Sequence, residues 1–72
     1  MGKTVSGKNM IRALKKLGFE EMYFEGSHAH LRKESIKVTI PCHGNEDLKI
    51  GTLNNILKTA KVTFQQIKDL IK

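Results

Sequence analysis

The sequence predicts a two-layer α+β fold in which three helices cover one face of a three-stranded antiparallel sheet. Apolar residues recur at helical spacing near both ends of the chain, and the middle alternates between apolar and polar residues. Two short turns divide that middle region into three strands, which indicates an antiparallel meander. We expect residues 1–72 to form a single domain, because a chain of this length supports one thin hydrophobic core.

The first helix is predicted to follow Ser6, a good N-terminal cap, and to end at Gly18, which suits a left-handed closing residue. Its apolar positions are Met10, Ile11, Leu14 and Leu17. A different stripe carries Lys8, Arg12 and Lys15. The helix should therefore bury one face and expose a basic one.

The first strand is predicted over Phe19–Phe24, a segment rich in aromatic residues. Its inward face is ambiguous, because two alternating sets of apolar residues compete for it. One set is Phe19 and Tyr23, and the other is Met22 and Phe24. The turns that follow the first and second strands are predicted at 26–27 and 34–35.

The second and third strands have a clear alternation. In the second, Ala29 and Leu31 should point inward, and the outward residues are His28, His30 and Arg32. In the third strand, which Pro41 ends, the predicted inward residues are Ile36, Val38 and Ile40. Lys37 points outward with the histidines, so one sheet face should be open to solvent and partly basic.

Two helices are predicted after the sheet. The apolar positions of the second helix are Leu53, Ile56, Leu57 and Ala60, and those of the third are Phe64, Ile67, Leu70 and Ile71. Thr63 and Gln66 have the spacing of a capping box. The order helix, three strands, helix, helix is that of a double-stranded-RNA-binding-domain-like fold, although a fold does not by itself decide function.

The charge balance favours a polyanionic partner. The chain has 13 Lys and Arg against 7 Asp and Glu, a net charge of +6. Nucleic acid is the leading candidate for such a protein. Five cations precede the first acidic residue, Glu20: they are Lys3, Lys8, Arg12, Lys15 and Lys16. The alternative is a basic face that serves solubility alone.

The cysteine content and the hydropathy predict a cytoplasmic protein with no membrane segment. Cys42 is the single cysteine, so an internal disulfide is excluded and a reducing compartment fits. The chain lacks an apolar run of about 20 residues, and its start lacks the apolar stretch of a signal peptide.

Two histidines on the predicted open face could carry chemistry. RNA contains its own nucleophile, the 2′-hydroxyl, and its cleavage needs a base, an acid and cations. His28, His30, Arg32 and Lys37 supply these groups on one surface. His28 and His30 should lie roughly 6.6 Å apart along the strand, a span that brackets one phosphate. The alternative is that these residues only cover a solvated sheet face.

A zinc site is a rival use of the same histidines with Cys42 and His43. Adjacent residues rarely chelate one ion together, and the sequence has no CxxC or HxxxH spacing. We therefore expect no metal. The loop "PCHGNEDLKIGTL" leads into the second helix, whose N-terminus could bind phosphate, but a plain connecting loop is the simpler interpretation.

Four segments resemble the HicA family of mRNA interferase toxins in order and spacing, from Ser6 to about Ile71. They are "SGKNMIRALKKLGFE", "GSHAHLRK", "VTIPCHGNEDLKIGTLNNILKTA" and "TFQQIKDLI". The resemblance implies a metal-independent endoribonuclease that needs no cofactor, cuts mRNA and arrests translation. It also implies a HicB-type antitoxin as partner. The family's catalytic histidine lies in a Gly-Ser-His motif, which matches Gly26, Ser27 and His28.

Two positions depart from the family pattern. His30 stands where the family more often has an apolar residue, and its role as accessory acid, RNA contact or neither stays open. Lys61, in "AKVT", stands where the family usually has glycine. Lys61 must then adopt a left-handed conformation, or the second helix must end differently.

We therefore predict a toxin endoribonuclease with His28 as general base and with His30, Arg32 and Lys37 as accessory groups. The predicted RNA contacts are Lys8, Arg12, Lys15, Lys16, Ser27, Arg32, Lys37 and His43. A non-catalytic double-stranded-RNA-binding module is the main alternative, and a protein that acts only by binding another protein is the third. The sequence leaves open whether the chain forms a homo-oligomer.

Overall fold

The computed structural model describes residues 4–71, so Lys3 of the basic cluster lies outside the described range. The elements in chain order are α1 (Gly7–Lys16), β1 (Glu20–Glu25), β2 (His28–Lys33), β3 (Ile36–Pro41), α2 (Ile50–Ala60) and α3 (Phe64–Leu70). The three strands form one antiparallel sheet in the order β1-β2-β3. The predicted α+β fold class is confirmed, and β1 is shifted by one residue from its predicted bounds.

The hydrophobic core lies between the helices and the inward face of the sheet. Its largest fully buried side chains are Met10, Leu14, Leu31, Ile40 and Ile67. Helices α1 and α2 pack on β3, and α3 packs on α1. Each fully buried side chain of this kind contributes about 1.5–3 kcal/mol. The opposite sheet face carries no helix within residues 4–71, and we call it the open face.

Helix α1 is capped as predicted and begins against the end of the sheet. The Ser6 hydroxyl accepts a hydrogen bond from the Asn9 N–H at 3.1 Å. Gly18 closes the helix with a φ of +104°. A Cβ at Gly7 would collide with the Pro41 carbonyl oxygen and would lie 3.0 Å from the Cα of Cys42. Glycine therefore allows the start of α1 to touch the chain where β3 ends.

A β-bulge in β1 explains the ambiguous alternation of that strand. Glu21 pairs with Leu31 and Tyr23 pairs with His30, so Met22 is an extra residue between two successive pairs. The bulge shifts Tyr23 to the open face beside His30. Met22, Tyr23 and Phe24 are 47%, 57% and 53% exposed, whereas Phe19 is buried. Neither of the two competing apolar sets therefore forms the inward face.

The two C-terminal helices form as predicted, but less of the apolar stripe of α3 is buried than expected. Lys61, which stands where the family usually has glycine, adopts the left-handed conformation (φ 61°, ψ 44°), the first of the two predicted alternatives. The capping box is present: Thr63 N–H donates to Gln66 Oε1 at 2.8 Å, and Gln66 N–H donates to Thr63 Oγ1 at 3.1 Å. Of the predicted α3 stripe only Ile67 is fully buried, because the other three lie at the edge of the core.

No helix within residues 4–71 combines the length and the apolar character needed to span a membrane.

Candidate functional site

His28 is the first residue of β2 and is exposed on the open face. It follows a tight turn in which Gly26 has a φ of +61°. Across the sheet, His28 pairs with Pro41, the last residue of β3. The Cys42 N–H donates a hydrogen bond to the Ser27 carbonyl oxygen at 2.7 Å. That bond ties the Gly-Ser-His turn to the chain that leaves β3.

The ring of His43 meets the ring of His28. Their centroids are 6.2 Å apart and the ring planes are nearly perpendicular, at 82°. His43 was predicted as an RNA contact and as a ligand in the rival zinc site, but not as a catalytic partner of His28. Register could have indicated the pair: the turn at 34–35 sets Lys33 opposite Ile36, and equal steps along both strands bring His28 opposite Pro41. His43 is two residues further on.

A cavity of about 270 Å³ opens beside the two rings, between the start of β2, the loop 42–49 and the start of α2. We call it the histidine cavity. Its lining residues are His28, Pro41, His43, Glu46, Asp47, Leu48, Lys49 and Thr52. Lys49 is also the N-cap residue of α2 and makes no side-chain capping hydrogen bond. The cavity thus combines two imidazoles with an ammonium group, two carboxylates and the first turn of a helix.

The first described residues of the chain hold the loop beside the histidine cavity. Thr4 Oγ1 donates to the Leu48 carbonyl oxygen at 2.7 Å, and Leu48 N–H donates to the Val5 carbonyl oxygen at 2.8 Å. Ser6 and Asp47 form a further isolated antiparallel bridge. Val5 and Leu48 are both buried. The loop wall is therefore attached to the core by hydrogen bonds and by packing.

His30 lies on the same face as His28, but its ring is held by neighbours of its own. It stacks on Tyr23 with centroids 4.4 Å apart and planes 12° from parallel. Its Nδ1 lies 3.3 Å from Thr39 Oγ1. Its Nε2 is buried and lies 3.2 Å from a Glu25 carboxylate oxygen, an ion-pair distance without hydrogen-bond geometry. These contacts give His30 a structural setting that His28 does not share.

Arg32 and Lys37 form a cross-strand pair toward the other end of the sheet. Arg32 is four residues from His28, about 13 Å along the strand at roughly 3.3 Å per residue. The two cations lie toward the opposite end of β2 from His28. They line a second cavity, described below.

The comparison with protein families now identifies the chain. The model described as "HicA toxin of bacterial toxin-antitoxin" matches residues 7–62, most of the sequence. The chain belongs to the HicA toxin family. The matched range includes both His28 and His43, and the predicted membership of the HicA family is confirmed. No curated protein matches the chain. Membership in the HicA family assigns this chain to the toxin side of a toxin–antitoxin pair.

Some of the basic residues of α1 in this HicA-family chain make internal contacts. Lys15 Nζ forms an ion pair with Glu21 at 2.8 Å, and Lys16 Nζ donates to the Leu70 carbonyl oxygen at 2.7 Å. Lys8 is exposed and follows Gly7, whose backbone touches the end of β3. Lys8 therefore lies in the first turn of α1, next to the glycine that touches the end of β3.

The rival zinc interpretation finds no supporting geometry in the described part of the chain. Within residues 4–71, no three His, Cys, Asp or Glu side chains are grouped as metal ligands would be. Cys42 is a half-buried free thiol that packs against the core.

Proposed function

We propose that this HicA-family toxin is an endoribonuclease that cleaves mRNA at the histidine cavity and so arrests translation. The observation that carries the proposal is the edge contact of His28 and His43, two exposed imidazoles, one from the start of β2 and one from the loop that follows β3. His28 is also the histidine of the Gly-Ser-His motif. Two histidines on one phosphate supply a base and an acid, the pair of proton transfers that RNA cleavage needs.

In the proposed reaction His28 removes the proton of a ribose 2′-hydroxyl. The 2′-oxygen then forms a bond to the adjacent phosphorus, and the bond from phosphorus to the 5′-oxygen breaks. His43 donates a proton to that departing oxygen. The products are a 2′,3′-cyclic phosphate and a 5′-hydroxyl end, and exchange with water restores both histidines. Each proton transfer contributes typically about 10²- to 10⁴-fold in rate.

The wall of the histidine cavity can stabilise the negative charge that develops on the phosphoryl oxygens. Lys49 lines it, and the partly positive N-terminal turn of α2 contributes Thr52. Glu46 and Asp47 repel phosphate but attract a protonated imidazole. This mixture suits a site that must hold one scissile phosphate beside imidazolium rather than a long polyanion.

We infer that a HicB-type antitoxin is the protein partner and that the pair acts in the cytoplasm. With a net charge of +6 on the toxin, the complementary contact surface on the antitoxin is acidic. An antitoxin that inhibits by steric exclusion covers the histidine cavity or holds RNA away from it. A mapped interface confined to the helical side of this chain would contradict the steric version.

Single-turnover cleavage of a defined mRNA by His28→Ala and His43→Ala tests the proposed chemistry. Each change should lower the rate about 10²- to 10⁴-fold, and the double variant should lose little more, because the two groups act as a unit. A bell-shaped dependence of rate on pH should lose one limb in each variant. RNA with a single 2′-deoxyribose at the cleaved nucleotide should stay intact.

The same experiment contains its controls. Cys42→Ala should cleave at the wild-type rate, and EDTA should leave that rate unchanged. A folded His28→Ala protein that cleaves RNA at nearly the wild-type rate would end the catalytic proposal. RNA that is bound but uncleaved by the wild-type chain would favour the non-catalytic RNA-binding module.

A further inference from the structure

The open face carries a second cavity that the cleavage proposal does not use. It has a volume of about 270 Å³ and lies over the middle of the sheet. Its lining residues are Met22, Tyr23, His30, Leu31, Arg32, Lys37, Val38 and Thr39. We call it the open-face cavity. Of the described residues that line it, none is acidic, in contrast to the histidine cavity.

Tyr23 gives this cavity an aromatic wall in a fixed orientation. The β-bulge at Met22 places Tyr23 on the open face, where it stacks on His30. His30 is in turn restrained by Thr39 through its Nδ1. Tyr23 nevertheless remains 57% exposed. An exposed ring that is already oriented can stack on another flat ring with little loss of side-chain freedom.

Arg32 and Lys37 give the same cavity a positive charge. They lie directly opposite each other on adjacent strands, an arrangement of like charges that destabilises a sheet. Glu20 faces Arg32 from β1 and offsets part of that repulsion, but the cross-strand partner of Lys37 is Arg32. An anion bound between the two cations would remove the remaining repulsion. An aromatic ring beside paired cations is the combination that binds single-stranded nucleic acid.

We propose that the open-face cavity is a nucleotide subsite for single-stranded RNA, with a base stacked on Tyr23 and a phosphate between Arg32 and Lys37. The proposal deepens the proposed function and rests on it for the identity of the ligand. A base can stack on a protein ring only when it is unpaired, so duplex RNA cannot occupy this subsite in the same way. The substrate is therefore a single-stranded segment of mRNA.

The position of the subsite fits an RNA strand that lies along β2 and reaches the scissile phosphate at His28. His30, which supports Tyr23, is two residues or roughly 6.6 Å from His28. Arg32 is about 13 Å from His28 along the same strand. Helical rise is about 3.4 Å per nucleotide, so the two cavities are separated by a few stacked nucleotides or by fewer extended ones.

Tyrosine fluorescence reports on this subsite directly, because Tyr23 is the only tyrosine of a chain that has no tryptophan. The His28→Ala protein should be titrated with a short single-stranded RNA, with correction for absorbance by the RNA. Stacking on a base should quench the fluorescence in a saturable manner. The same RNA annealed to its complement, and inorganic polyphosphate as a polyanion without bases, should leave most of the signal unchanged.

Binding by Tyr23→Ala in the His28→Ala background measures the contribution of stacking. The affinity for the single strand should fall about 5- to 150-fold, and Tyr23→Phe should restore it. Phe24→Ala is the matched control, because Phe24 is similarly exposed but pairs with Ala29 on the other side of the sheet. Lys37→Ala should reduce the slope of log affinity against log salt by about 0.7.

The outcomes separate the subsite from the catalytic proposal. With His28 present, Tyr23→Ala should raise KM for RNA cleavage and leave kcat unchanged. Cleavage that persists while Tyr23→Ala binds RNA as tightly as its parent would overturn the subsite and leave the catalytic proposal intact. Saturable quenching by single-stranded RNA, together with a wild-type protein that does not cleave that RNA, would do the reverse. If Tyr23→Ala weakens only the antitoxin complex, the open-face cavity is a protein-docking site and the RNA subsite is wrong.

Discussion

His28 and His30 stand two residues apart on one strand and face the same side of the sheet, but their surroundings differ. His28 is exposed at the edge of a cavity and meets a second histidine. His30 is stacked on Tyr23, with Thr39 and Glu25 at its ring nitrogens. Their spacing along the strand alone did not indicate which of the two residues is catalytic. Their neighbours, which come from other strands and from a loop, distinguish them.

The largest expected effect separates these two histidines in a single pair of variants. His28→Ala should lower the cleavage rate about 10²- to 10⁴-fold and change the free energy of unfolding by less than about 0.5 kcal/mol. His30→Ala should do the opposite: kcat should stay close to wild type, and loss of stacking on Tyr23 should lower stability by about 1 kcal/mol. Chemical denaturation and single-turnover kinetics on the same preparations measure both quantities. An equal loss of rate in both variants would restore His30 as an accessory acid.

A second matched pair compares two glycines at helix N-terminal turns. Gly7→Ala places a Cβ against the Pro41 carbonyl, so the end of β3 must shift, at a cost of about 1–3 kcal/mol. Gly51→Ala meets nothing within 4 Å among the described residues and should stabilise α2 by up to about 1 kcal/mol. Denaturant titration gives both values. Because β3 leads into His43, Gly7→Ala should also slow cleavage, and an unchanged rate would show that the His28–His43 contact tolerates the shift.

The third pair compares two lysines of α1. Lys8 is exposed in the first turn of α1, whereas Lys15 is paired with Glu21. If Lys8 contacts a phosphate, Lys8→Ala should reduce the slope of log affinity against log salt by about 0.7, and Lys15→Ala should change it little. Stability should fall by less than about 1 kcal/mol in Lys15→Ala, since exposed ion pairs are weak. Equal slopes for both variants would mean that the cations of α1 contribute to RNA binding only through the net positive charge of the protein.

The smallest expected effect concerns Glu34 and Lys61, the two non-glycine residues with positive φ within residues 4–71. Left-handed conformation costs a non-glycine residue about 1–2 kcal/mol, and glycine loses about 0.5–1 kcal/mol more backbone entropy on folding. The net effect of Lys61→Gly or Glu34→Gly should therefore be stabilisation of about 0.5 kcal/mol, without a change in activity. Thermal unfolding measures it. A drop in stability would indicate that the lysine or glutamate side chain makes a stabilising contact in solution.

Much of the fold could be predicted because its determinants are local. Ser6, Gly18 and the Thr63–Gln66 box act within a few residues of where they stand, and each has the predicted role. The bulge at Met22 could not be predicted from the sequence pattern. An extra residue in one strand moves the residues after it to the opposite sheet face, so simple alternation no longer shows which residues point inward. The position of the bulge depends on how β1 pairs with β2.

The candidate site was predictable only in part, for a similar reason. The Gly-Ser-His resemblance pointed to His28, and strand register would have led from His28 to His43. The contacts that hold His30 and Lys16 involve side chains whose partners are distant in sequence or on another strand. Lys16 reaches Leu70, 54 residues away, and no spacing rule indicates such a contact. Propensity and periodicity describe elements, whereas side-chain partners follow from how the elements pack.

The attachment of Thr4 and Val5 to Leu48 has a consequence for the order of events during synthesis. The wall of the histidine cavity is held by residues from the beginning of the chain and by a residue 44 positions later. Such contacts form only after the later residue has left the ribosome. A nascent chain that ends within the sheet has His28 but lacks the wall around it. His28 therefore gains its complete surroundings only after Leu48 has been made and has paired with Thr4 and Val5.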